Sequence, residues 1–203
     1  MSAFYVDVFN DIIRTARARL PGVTEAALKD ELLYVLDDFF QESLAWREDI
    51  TITLVADRDT YELEPEDYNA DVCSFFWAKT DNGLRYAASM PSTGILKLRD
   101  VPSSAVTLEV TVALTTRKDL EVNNYPEVPN WIASRYKTAF LDGLLSRMYE
   151  QPAKPYTSAQ MGMWHLRKYT AARTQARVSA NKEDIVGGQR WQFPQGFMGT
   201  RRQ

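Results

Sequence analysis

The sequence predicts an α+β fold: a helical bundle from N- and C-terminal helices, an inserted antiparallel β-unit and an extended C-terminal tail. Three observations lead there. Apolar residues recur at helical spacing up to about Trp46 and again after Pro129. Between them, residues 49–116 alternate as strands do. Beyond Ser179 the periodicity stops. The implied organisation is a bundle from residues 1–48 and 117–178, a β-domain at 49–116 and a C-terminal arm at 179–203.

The first helix reads from Phe4 to Leu20, where Phe4, Val8, Ile12 and Ile13 share a face and Pro21-Gly22 stops it. Thr24 offers an N-cap for a second helix running to about Trp46. Leu28, Leu32, Val35, Leu36, Phe39, Phe40 and Leu44 form its apolar stripe, with Asp37, Asp38 and Glu42 largely opposite. The pattern changes at Asp49. Ile50 to Val55, Tyr61 to Leu63, Val72 to Lys79, Leu84 to Tyr86, Gly94 to Arg99 and Val106 to Leu114 give six expected strands in a meander. Asn82-Gly83 signals a type I′ hairpin turn, since both residues tolerate positive φ.

A third helix is expected from Trp131 to Tyr149, with Trp131, Ile132, Tyr136, Phe140, Leu144 and Met148 at three- and four-residue steps. Pro152 and Pro155 break it. Thr157 or Ser158 caps a last helix to about Val178, with Met161, Trp164, Leu166 and Tyr169 expected on its inner side. The arm beyond carries Gly187, Gly188, Pro194, Gly196 and Gly199, which do not sustain a helix, yet also Trp191, Phe193, Phe197 and Met198.

Charge is unevenly spread. Residues 1–130 hold 12 basic and 23 acidic side chains, whereas residues 131–178 hold 8 basic and 2 acidic. Such asymmetry suits charged partners or head-to-tail packing of copies. The single cysteine, Cys73, excludes an internal disulfide and reads as a buried strand thiol in a protein assembled in a reducing cytoplasm. The first residues lack the basic start and apolar run of a signal peptide, and no stretch approaches the roughly 18 apolar residues of a membrane span. The expectation is a soluble protein with no membrane partner.

A search for chemistry finds little. His165 is the only histidine and is expected at the surface or an interface, because no nucleophile–base pattern surrounds it. No phosphate-binding, zinc-protease or calcium-loop motif occurs. The carboxylates of Asp57, Asp59, Glu62, Glu64, Glu66, Asp67 and Asp71 lack the order of a calcium loop and read as a solvated hairpin rim. The expectation is a protein that is not an enzyme, with no catalytic residue, cofactor or metal.

The order of features resembles the head-to-tail adaptor (connector) proteins of tailed bacteriophages, from about Leu20 to Val178. The resemblance rests first on Leu36-Asp-Asp-Phe-Phe-Gln-Glu-Ser-Leu-Ala-Trp46-Arg47-Glu48, a helix ending in a Trp-Arg-Glu junction that opens a strand. The run from Ile52 to Tyr61-Glu-Leu63 and the Gly94-Ile-Leu-Lys-Leu98 strand continue it. Pro129-Asn-Trp-Ile-Ala-Ser-Arg-Tyr136 and the segment from Gly143 to Pro152-Ala-Lys-Pro-Tyr156 complete it.

What the resemblance implies is a structural virion protein at the head–tail junction, assembled in the host cytoplasm. It forms a ring, commonly of twelve copies, docks on the portal protein and extends the DNA channel toward tail or nozzle proteins. Its partners would be the portal, neighbouring copies and genomic DNA bound without sequence preference. Aromatic anchors order well on a partner, so Trp191, Phe193, Phe197 and Met198 are the candidate portal-docking residues. Arg135, Lys137, Arg147, Arg167, Lys168, Arg173 and Arg177 are the candidate channel or subunit-interface residues. Two alternatives stay open: a tail completion or terminator protein, and a DNA-binding accessory protein.

Overall fold

The computed structural model describes residues 3–117 and 128–183, and it is α+β. The order is α1 (Ala3–Arg19), α2 (Glu25–Ser43), β1 (Arg47–Leu54), β2 (Thr60–Glu62), β3 (Ala70–Thr80), β4 (Arg85–Tyr86), β5 (Ala88–Ser92), β6 (Ile95–Leu98), β7 (Val106–Thr116), α3 (Asn130–Glu150) and α4 (Ala159–Glu183).

The helices form where apolar periodicity demands. Phe9, Ile12, Ile13, Ala16 and Leu20 bury one face of α1. Gly22, at φ 80°, makes the tight turn into α2, and the Thr24 side chain accepts from the Ala27 N–H as its N-cap. α2 ends at Ser43, three residues short of expectation. Leu44 adopts a left-handed conformation at φ 53° and its N–H bonds the Phe40 carbonyl, closing the helix as glycine usually does. The Trp46 ring then turns back against Phe40, 5.3 Å between centroids. Its burial in the core repays the strained backbone at Leu44.

The β-unit departs from the expected meander. The described residues form seven strands in two antiparallel sheets, ordered β1-β7-β3-β4 and β2-β6-β5. The last strand, β7, is inserted between β1 and β3, and it is buried along most of its length. The reason is compositional: Val106 to Leu114 is the most continuously apolar strand, and a central position covers it on both edges and both faces. β5 escaped the sequence reading because Pro91 interrupts it. A proline fits there because β5 is an edge strand and its register shifts between Ser89 and Ser92. The Asn82-Gly83 turn is present, but only Gly83 has positive φ (77°), and its N–H bonds the Thr80 carbonyl at 2.7 Å. A turn closed by one left-handed glycine thus replaces type I′.

Bundle and sheets share one core that runs from Phe9 through Phe39, Phe40 and Phe140 to Leu54, Leu96 and Leu108. At its centre α3 comes very close to its neighbours. A Cβ on Gly143 would lie 2.6 Å from Val35 Cγ1 and 2.9 Å from the Tyr169 ring, so only glycine fits where α2, α3 and α4 meet.

The last helix is rotated relative to expectation. Ser158 caps it, its hydroxyl accepting from the Met161 N–H. Tyr169 faces inward as expected, but Met161, Trp164 and Leu166 are exposed. The inner stripe is instead His165, Tyr169, Ala176 and Ala180. Two rival stripes exist on this helix, and specific partners choose between them. His165 Nδ1 meets the buried Asp142 carboxylate at 2.7 Å, and the Tyr169 hydroxyl donates to the Val35 carbonyl at 3.1 Å. The small residues at 172, 176 and 180 let α4 close on α3.

Candidate interaction surface

Two sets of charged side chains dominate the described surface. The basic residues singled out from the sequence all lie on α3 and α4, which pack on each other and on α2. Four of them meet carboxylates of α1 and α2 within the chain. Lys137 Nζ lies 2.9 Å from Asp11, Arg147 2.5 Å from Glu31 and Arg173 2.5 Å from Asp38, while Arg177 reaches Glu42 at 3.9 Å and donates to its backbone carbonyl at 2.9 Å.

The α2–α4 contacts are regular because the two helices run parallel. Val35 with Tyr169, Asp38 with Arg173 and Glu42 with Arg177 advance in step along both chains. Asp38 is the hub: its carboxylate accepts from the Tyr169 hydroxyl at 2.6 Å and from Arg173. Burial, and then this carboxylate, push the Tyr169 phenol up, so it stays a protonated donor. The Lys137 ammonium, through its hydrogen bond and its charge, holds the Asp11 carboxyl below its usual range. A large part of the charge asymmetry seen in the sequence is thereby satisfied inside one copy.

The other three basic candidates behave differently. The Arg135 guanidinium lies over the Tyr136 ring at 5.5 Å. Arg167 and Lys168 are exposed on α4, and neither forms an ion pair with a described residue. The Lys168 ammonium sits 3.7 Å over the Trp164 ring, a cation–π contact at the edge of the exposed apolar group Met161, Met163, Trp164 and Leu166.

The acidic rim is solvated as expected, with Glu62, Glu64 and Glu66 exposed. Glu62, Glu64, Glu66, Asp67 and Asp71 line an open groove of about 460 Å³ together with Tyr68 and Arg117. Arg117 donates to the Tyr68 carbonyl at 3.2 Å and approaches Asp71 at 4.0 Å. Glu48 joins the rim by accepting from the Glu66 N–H at 2.8 Å, and burial, reinforced by neighbouring carboxylates, holds its carboxyl above its usual value. No group of three or more His, Cys, Asp or Glu side chains among the described residues is arranged to hold a metal ion.

His165 corrects the sequence reading. It is buried against Asp142 and stacks on Tyr149 with 5.7 Å between ring centroids, a core histidine rather than a surface one. Composition alone gives no signal for this, since a helical histidine beside Arg167 and Lys168 looks solvent-facing. Cys73 is half-buried at a β-bulge, where the β3–β7 register shifts between Val72 and Ser74. Burial pushes its thiol up to about 12, which leaves almost no thiolate for nucleophilic chemistry at neutral pH. No described helix is long and apolar enough to cross a membrane. Trp191, Phe193, Phe197 and Met198 lie outside the described residues.

The described surface thus offers an apolar and basic helix face and an acidic groove. No protein-family model matches this chain, and no curated protein is significantly similar to it.

Proposed function

We propose that this chain is a structural subunit of a tailed-phage virion, a ring-forming head-to-tail adaptor that docks on the portal and prolongs the DNA channel. The observation that carries the reading is the junction at residues 43–48. The Trp-Arg-Glu stretch that anchors the resemblance performs mechanical work here. Leu44 stops α2, the Trp46 ring plugs the core against Phe40, and the Trp46 carbonyl accepts from Leu114 N–H of the central strand at 2.8 Å. At this junction the β-unit is thus clamped to the helices, as a subunit that transmits position between neighbours requires.

Two further features support it. Buried polar groups of the bundle serve each other: Asp142 meets His165, and Ser146 bonds the Gly143 carbonyl. In addition, Arg167 and Lys168 remain on an outer helix face, available to phosphates of passing DNA or to a neighbouring copy.

Mass photometry of the protein mixed with the portal from the same genome tests the reading. The full chain is expected to add a ring's mass to the portal, and a chain cut after Glu183, which keeps α4 whole, is expected to add none. A cut chain that binds as well as the full one removes the arm from the account. Loss of binding by both, with mass gained on tail proteins instead, turns the reading to the tail-completion alternative.

A further inference from the structure

The first turns of α4 present large apolar side chains that the other described residues leave exposed. Met161, Met163, Trp164 and Leu166 are 39%, 54%, 48% and 43% exposed, four large apolar side chains within six residues. Tryptophan and methionine are enriched in the cores of protein interfaces and scarce on open surface. Arg167 and Lys168 share this patch, and the Lys168 ammonium already rests on the Trp164 ring. On the outward side of the helix Arg167 falls between Met163 and Trp164, with Lys168 beside Trp164, so the surface mixes apolar and positive groups.

The same molecule carries the complement. The groove lined by Glu62, Glu64, Glu66, Asp67, Asp71 and Arg117 is acidic among its described residues, and Tyr68, 80% exposed, lies at its wall with the Arg117 guanidinium over one face of its ring. The two surfaces belong to one rigid frame. α4 packs on the side of α2 that carries Asp38, whereas β7 packs on the side that carries Asp37, through Thr115 Oγ1 at 2.8 Å from its carboxylate. Adjacent residues on a helix point about 100° apart. α4 and the strand that ends at the groove therefore pack on different sides of α2.

We propose that the Met161–Lys168 face of α4 docks into the 62–71 acidic groove of a second copy of this chain. The contact is heterologous, using different surfaces on its two sides, so it repeats from copy to copy and closes a ring when the rotation allows. It deepens the adaptor reading and rests on it. Charge selects this occupant over the chain's own C-terminal arm, because residues 184–203 hold Arg190, Arg201 and Arg202 against Asp184 alone, like in sign to Arg167 and Lys168.

A photo-cross-linker reads the contact directly. Met163→p-benzoylphenylalanine is placed in the full chain, and equal amounts of ¹⁴N and ¹⁵N copies are mixed, both free and mounted on the portal, before irradiation. The expected result is cross-linked peptides of mixed isotope joining residue 163 to the 60–71 segment. Arg167→Glu with Lys168→Glu, or Glu64→Lys with Glu66→Lys, is expected to lower the yield about tenfold, and the four changes together to restore it. Cross-links confined to one isotope, cross-links into residues 184–203, or no cross-link in either state overturns the proposal. The adaptor reading fails separately. A portal that gains a ring's mass while the cross-links land elsewhere overturns this contact alone, whereas groove cross-links without mass on the portal overturn the docking role and leave the contact standing.

Discussion

Gly143 shows how a single residue sets the approach of three helices. With Val35 Cγ1 and the Tyr169 ring inside 3.0 Å of an added Cβ, neither neighbour has room to retreat, since both are held in the core. Gly143→Ala is expected to destabilise the fold by about 2 kcal/mol through overpacking, in spite of alanine's better helix propensity. Gly162 is a useful contrast. Its nearest neighbour is the flexible end of Glu150 at 3.1 Å, so Gly162→Ala is expected to stay within about 1 kcal/mol of the parent. Urea unfolding midpoints at unchanged slope would read both, and equal effects at the two positions would remove the close-packing argument. Neither position was distinguishable in the sequence, where both are glycines inside a helical pattern.

Among the elements, the Asp11–Lys137 pair between α1 and α3 and the Glu25–Lys29 pair within α2 make stability depend on pH. The carboxyls of Asp11 and Glu25, with ordinary values of 3.8 and 4.5, are both lowered in the folded protein, chiefly by hydrogen bonds from Lys137 and Lys29. A depressed folded value means stabilisation that is present above the unfolded value and lost as the pH falls through the folded one. Glu48 acts with the opposite sign: burial raises its carboxyl, so protonating it favours the folded form as the pH drops. The melting temperature is expected to fall below about pH 4, and Asp11→Asn is expected to flatten that fall. A profile with the same slope in the variant would remove the Asp11–Lys137 pair from the account. The sequence placed these helices well but assigned their charges to neighbouring copies, because pairing partners more than a hundred residues apart are set by packing alone.

For the whole molecule, the continuous core makes the bundle and the β-unit one cooperative body although the chain reads as a domain with an insertion. Phe40, Trp46 and Leu114 belong to the same cluster as Leu54 and Leu96. Far-ultraviolet circular dichroism and tryptophan fluorescence are therefore expected to report one coincident unfolding transition. Two separated transitions would mean that the junction at Trp46 does not couple the halves, and the clamp that carries the adaptor reading would fall with it.

What the sequence determined by itself was the kind and place in the chain of every described element except β5. Local forces decide these: apolar periodicity for the four helices, the Thr24 cap, the Gly22 and Gly83 turns, and β-branched alternation for Ile50 to Val55 and Val106 to Leu114. Tertiary structure decided which face of each element is buried. β7 took the centre of its sheet because only there is its apolar length covered on both sides, and α4 turned His165 inward because the Asp142 carboxylate, 23 residues away, was waiting for a partner. That rotation carried Trp164 and its neighbours outward and so created the surface on which the proposed contact between copies depends. Period and propensity act between residues a few positions apart, whereas orientation depends on free-energy differences between partners brought together by the whole fold.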